Sequence, residues 1–84
     1  MTASDLEVLA ANEAFYGAFA QTDLATMDRL WAQRAPVACI HPGWGPIIGR
    51  DQVMQSFQAL FERGGARVAC FDASAYLFGD SAYV

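Results

Sequence analysis

The feature that most constrains this chain is a change of hydrophobic period at Gly64-Gly65. Upstream, Val53, Met54, Phe57, Leu60 and Phe61 recur at the spacing of one helical face. Downstream, Val68, Cys70, Asp72, Ser74, Tyr76 and Phe78 alternate with Ala69, Phe71, Ala73, Ala75 and Leu77. A period of about 3.6 describes a helix with one buried stripe, and a period of about two describes a strand with two faces. A chain carrying both in separate blocks packs helices against an antiparallel sheet. The fold class expected is therefore α+β.

The upstream block divides further. Ser4-Asp5-Leu6-Glu7 has the form of a capping box, and Val8, Asn12, Phe15 and Phe19 follow on one stripe. That helix should fade near Gln21-Thr22, with Thr22 or Asp23 capping a second, short helix. The second helix carries Leu24, Met27, Leu30 and Trp31 on its apolar side. Val37 to His41 reads as a short strand, and the turn Pro42-Gly43-Trp44-Gly45-Pro46 leads to a brief extended Ile47-Ile48. Gly49-Arg50-Asp51 opens a third helix; Arg63 suits its C-terminal dipole and Gly64-Gly65 stops it. Gly79-Asp80 has the composition of a type II′ hairpin loop, which would pair Phe78 with Ser81 and Tyr76 with Tyr83. The order is α-α-β-(β)-α-β-β in one domain, 1–84. The last strand is barely started at Val84, so the sheet is expected to continue beyond it or to be completed by another chain.

Composition sorts the partners. With 55% hydrophobic and 13% aromatic residues in 84, the chain is too apolar for disorder, yet no run approaches the ~20 apolar residues that span a bilayer. A chain this short buries only about 60–65% of its unfolded surface, so the apolar excess calls for a partner surface or a longer fold. Nine acids against five arginines and no lysine give a net charge of −4, which repels phosphate backbones and offers anionic lipid no basic face. Neither nucleic acid nor membrane is expected as a partner. The N-terminus lacks the basic and apolar regions of a signal peptide, and Cys39 and Cys70 show no zinc spacing. Free thiols in a cytoplasmic protein are the economical reading.

Taken together, Ala14-Phe15-Tyr16-Gly17-Ala18-Phe19, Asp23-Leu24, Leu30-Trp31-Ala32, Val37-Ala38-Cys39-Ile40-His41-Pro42-Gly43-Trp44 and Gly49-Arg50-Asp51-Gln52-Val53 resemble the nuclear transport factor 2-like superfamily. The likeness is strongest to its SnoaL-like branch of small bacterial proteins and runs from the first helix to the hairpin. The resemblance implies a cone: a curved antiparallel sheet wrapped around N-terminal helices, enclosing an apolar pocket. It also implies further strands beyond Val84 and, in many members, a homodimer. The branch holds ketosteroid isomerases, polyketide cyclases, dehydratases and epoxide hydrolases beside proteins that only bind or dimerise, so the fold alone does not choose an activity.

Candidate residues follow from both readings. His41 ends a strand before Pro42, where the isomerases of this superfamily carry their general-base aspartate; it either moves a proton or simply bonds its own loop. The position of the isomerase oxyanion tyrosine falls at Phe15, with Tyr16 one residue off, and phenylalanine donates no hydrogen bond. That speaks against a ketosteroid isomerase. Asn12 interrupts an apolar stripe, so it either bonds a backbone group or faces a pocket. Asp72 is expected on a strand face with Cys70, Ser74, Tyr76 and Tyr83, as a candidate acid or base or as a plain solvent-facing residue. Trp31, Trp44, Phe57 and Phe61 either line a cavity for a flat apolar ligand or form ordinary core, with Trp44 set apart by its place in a loop. One histidine and scattered carboxylates predict no metal site, and no cofactor motif is present. Two functions remain in view: a small-molecule-binding protein, or an isomerase, dehydratase or cyclase using His41 on a hydrophobic ketone-like substrate.

Overall fold

The computed structural model describes residues 2–65, Val68 and residues 70–84. Helix α1 runs Ala3–Ala20, α2 Leu24–Leu30 and α3 Arg50–Glu62. Strand β1 is Ala38–Cys39, β2 Ile47–Ile48, β3 Tyr76–Phe78 and β4 Ser81–Tyr83. The α+β class and the element order are those expected. The strands form two separate antiparallel ladders, β1 with β2 and β3 with β4.

The helix ends show how local chemistry sets the frame. α1 begins two residues earlier than expected. Its cap is Thr2, whose Oγ1 accepts from the Asp5 amide at 3.1 Å while Asp5 Oδ2 accepts from the Thr2 amide at 2.8 Å. Thr2-x-x-Asp5 has the same reciprocal pattern as Ser4-x-x-Glu7, and the earlier start adds backbone bonds such as Leu6 N–H to Thr2 O at 3.1 Å. At the other end, Asp23 N–H reaches Ala18 O at 2.9 Å and Thr22 N–H reaches Phe19 O at 3.2 Å. This double closure puts Thr22 in the left-handed region at φ 51°. Asp23 then caps α2, accepting from the Thr26 amide at 3.1 Å and its hydroxyl at 2.6 Å. These bonds, the hydroxyl's first, hold the Asp23 carboxyl below its usual range. α3 closes by the same double pattern, Gly65 N–H to Leu60 O at 2.9 Å and Gly64 N–H to Phe61 O at 3.0 Å. Here glycine fits, because a Cβ on Gly65 would meet Thr22 Cγ2 at 2.9 Å.

Arg50, in the first turn of α3, ties that helix to the end of α2. Its Nη1 pairs with Asp28 Oδ1 at 2.8 Å, its Nε donates to Ala32 O at 3.1 Å, and its Nη2 donates to Asp28 O. The guanidinium therefore serves carbonyls left open where α2 ends.

The core is centred on Ala18, Met27, Val53 and Phe57, with Phe15, Phe19, Leu24, Trp31, Val37, Cys39, Ile47, Met54 and Phe61 packed around it. Leu30, expected on the apolar side of α2, is exposed instead, because the helix ends there and turns its last residue outward.

Beyond Gly65 the structure departs from the expected long strand. Among the described residues between Gly65 and the Gly79-Asp80 turn, only Tyr76–Phe78 is β-structure, and Asp72 sits at φ 54°. Extended backbone needs a ladder partner, and β4 supplies one only opposite Tyr76, Leu77 and Phe78. Arg67 and Ala69, also read as part of that strand, lie outside the described residues. The hairpin itself has the expected register, Tyr76 opposite Tyr83 and Phe78 opposite Ser81. Of its two loop residues only Gly79 has positive φ, 61°, as a type II′ turn requires.

Candidate functional site

With Ser56, His41 is one of two buried polar residues among the described residues. It follows β1 and opens the Pro42–Pro46 turn, whose first closure is Trp44 N–H to His41 O at 2.9 Å. Its side chain is folded inward, with 6% of the residue exposed. The ring stands edge-on to Phe57 at 4.9 Å and to Trp44 at 5.1 Å. Nε2 lies 2.9 Å from the Oγ of Ser56, itself buried on α3. Cys39 Sγ lies 3.8 Å from Nδ1 and 3.9 Å from Nε2. A sulfur equidistant from both nitrogens packs against the ring and directs a hydrogen bond at neither. Burial pushes the His41 pKa below 6.5, so the ring is neutral at physiological pH, and burial pushes the Cys39 thiol up.

Beside His41 is an apolar cavity of about 280 Å³, lined by Phe15, Tyr16, Phe19, Cys39, Ile40, His41, Pro42 and Val68. Its walls come from the C-terminal part of α1, from β1 with the residues after it, and from the segment after α3. This is a concave, mostly apolar lining with few polar side chains, His41, Tyr16 and Cys39, of the kind that suits a small organic molecule.

The other expected residues distribute unequally. Phe15 and Tyr16 line this cavity with His41. Asn12 does not: it faces a second, more polar recess of about 380 Å³ with Tyr16, Cys70, Phe71, Asp72, Ser74 and Tyr76. Its amide Nδ2 donates to Cys70 Sγ at 3.3 Å, a side-chain partner rather than the backbone one considered above. Asp72 opens onto that same recess, but not from a strand face. Phe71 and Ala73 line the recess beside Cys70, Asp72 and Ser74, which strict alternation would forbid. Tyr16 is the wall between the two spaces, so His41 and Asn12 do not converge on one cavity.

Phe57 and Trp31 line neither space. Phe57 is fully buried at the centre of the core, and Trp31 packs on it at 5.7 Å. The Trp31 indole N–H is buried with no hydrogen-bond partner among the described residues. Trp44 is 42% exposed and touches the site only through the His41 ring. Among the described residues no three His, Cys, Asp or Glu side chains gather to hold a metal ion, and no helix is long and apolar enough to cross a membrane.

Sequence reasoning missed Ser56. Its signal was available: a polar residue between Val53 and Phe57, on the apolar face of α3, invites the same question as Asn12 on α1.

The family model for the SnoaL-like domain matches residues 8–84. The chain belongs to this family. The SnoaL-like domain also superposes on the crystal structure of a candidate dehydratase of the NTF2-like family from Streptomyces avermitilis, with a TM-score of 0.82 and 31% identity. The match covers 94% of this chain and 62% of that one, so the SnoaL-like domain described here spans less than two thirds of its solved relative. The superposition supports the nuclear transport factor 2-like cone as the fold. No curated protein matches its sequence.

Proposed function

We propose that this SnoaL-like domain binds a small apolar organic molecule in the cavity beside His41. The observation that carries the reading is the combination of about 280 Å³ of mostly apolar space with one buried, neutral imidazole in its wall. Apolar walls supply affinity through surface removed from water, and the few polar groups in the wall, His41 foremost, fix orientation. The test is a binding screen with cyclohexanol, cyclohexanone and 1-naphthol, read by thermal shift and calorimetry. Cys39→Phe, which fills the cavity, should abolish binding of a compound that the unmodified protein takes up. Equal binding by that variant would put the ligand elsewhere.

A second reading is an enzyme of the dehydratase type. It is supported by the neutral His41 and by the description of the Streptomyces relative. On a β-hydroxy ketone, the imidazole takes the proton α to the carbonyl, a carbon–carbon double bond forms and the carbon–oxygen bond breaks. The imidazolium then returns its proton to the departing hydroxyl, which leaves as water. Here His41→Ala should abolish turnover while retaining binding of the apolar skeleton.

A homodimer is proposed as well, through the aromatic hairpin. Tyr76 and Phe78 stack on Tyr83 at 5.0 and 5.6 Å, yet all three stay more than half exposed. Light scattering reads this directly, and a monomer at micromolar concentration would refute it. The two free thiols fit a reducing, cytoplasmic setting.

A further inference from the structure

A histidine serves a ligand as donor or as acceptor depending on which nitrogen carries the proton, and the surroundings of His41 decide this. Ser56 Oγ lies 2.6 Å from Val53 O, one turn back on α3. A carbonyl oxygen has no proton to give, so the Ser56 hydroxyl must donate there. That hydroxyl has one hydrogen, and Val53 takes it. Toward His41 Nε2, 2.9 Å away, Ser56 Oγ can only accept. Nε2 therefore carries the ring proton, and Nδ1 is left with a lone pair. Cys39 does not compete for it, since its sulfur, 3.8 and 3.9 Å from the two nitrogens, directs a hydrogen bond at neither.

We infer that Ser56 is a positioning residue of this site: it holds His41 as the Nε2–H tautomer and leaves Nδ1 as the only ring acceptor for a molecule in the cavity. Toward His41 the preferred ligand group is then a hydrogen-bond donor, so an apolar alcohol or phenol suits that position better than the ketone of the same skeleton. This ligand class rests on the cavity being a binding site; the tautomer does not. Both groups are built for the role. Ser56 is 7% exposed and His41 6%, so water does not replace either partner freely. The position on α3 matters too, because the Val53 carbonyl that orients the hydroxyl belongs to the same helix.

The experiment is nitrogen-15 NMR of histidine-labelled protein at mildly alkaline pH, where the ring is uncharged. His41 is the sole histidine, so its two nitrogens are read without assignment. The unmodified protein should give a protonated Nε2 and a bare Nδ1; a predominantly protonated Nδ1 overturns the inference. In Ser56→Ala the Nε2–H to Nδ1–H ratio should fall about fivefold to tenfold, the equivalent of one net hydrogen bond. An unchanged ratio in a folded variant shows that Ser56 does not set the tautomer. Should the alanine variant fail to fold, Ser56→Thr keeps the hydroxyl and must keep the Nε2–H form. Calorimetry with cyclohexanol and cyclohexanone separates this from the binding reading. Preference for the alcohol that shrinks in Ser56→Ala supports the ligand class, and preference for the ketone overturns it. If neither compound binds while the tautomer is as stated, the cavity reading fails and the role of Ser56 stands.

Discussion

Replacing Phe57 with leucine tests whether this small core depends on ring geometry rather than on buried volume alone. Phe57 is fully buried and has ring neighbours on several sides: Phe15 at 6.0 Å, Phe19 at 6.2 Å, Trp31 at 5.7 Å, His41 at 4.9 Å and Phe61 at 5.9 Å. Three of these, Phe15, Phe19 and His41, meet it at interplanar angles of 78°, 83° and 86°. Each edge-to-face pair is worth about 0.5–1.5 kcal/mol beyond its buried area, and contacts around one residue do not add fully. Leucine keeps much of the volume but none of the quadrupole, so the expected loss is about 2–3 kcal/mol. At roughly 0.05–0.15 kcal/mol per residue, a chain of 84 residues has about 4–13 kcal/mol in total. Phe57→Leu should therefore fold with a visibly reduced margin. In urea, with a slope of about 1 kcal/mol per molar for so small a domain, its midpoint should fall by about 2–3 M. Met54→Leu is the control, a half-buried neighbour on the same helix whose swap conserves volume and disturbs no ring. A Phe57→Leu midpoint no lower than that of Met54→Leu would refute the reasoning.

Two further outcomes concern strain and charge. Thr22 is β-branched and held at φ 51°, so Thr22→Gly should raise stability by about 1 kcal/mol, or Tm by about 4–8 °C, in calorimetry. A lower Tm would mean that the Thr22 hydroxyl bond to Gln21 O, 2.7 Å, outweighs the strain. Because burial lowers the folded-state pKa of His41 below 6.5, the unfolded chain binds the proton more readily. The contribution of His41 is therefore present above pH 6.5 and is lost as pH falls through the unfolded and then the folded pKa. Urea midpoints measured across that window should drop faster for the unmodified protein than for His41→Gln, and parallel curves would contradict the burial.

How much of the site was legible beforehand depended on distance along the chain. Pattern and resemblance single out His41, Phe15 and Tyr16, and the structure brings the three to one cavity. Asn12 was marked as a polar residue in an apolar stripe, and it does face a recess, though a different one from His41. Alternation puts Asp72 on a strand face, but the structure holds it at φ 54° outside any ladder, because a residue without a ladder partner has nothing to hold it extended. Trp31 and Phe57 carry the same composition signal whether they line a pocket or fill a core; only packing separates the two.

The sequence by itself determined the parts that close locally. The three helices, their glycine and aspartate boundaries, and the hairpin register at Gly79-Asp80 all rest on interactions within a few residues, where side-chain chemistry and backbone preference act directly. Tertiary structure decided the rest. It brought Arg50 across to the end of α2, and put the Ser56 hydroxyl against His41, fifteen positions earlier in the chain. It also split the polar candidates between two spaces on either side of Tyr16. A hydrogen bond between helix and loop has no period and no local motif, so its partners become readable only once the core has set the distance between them.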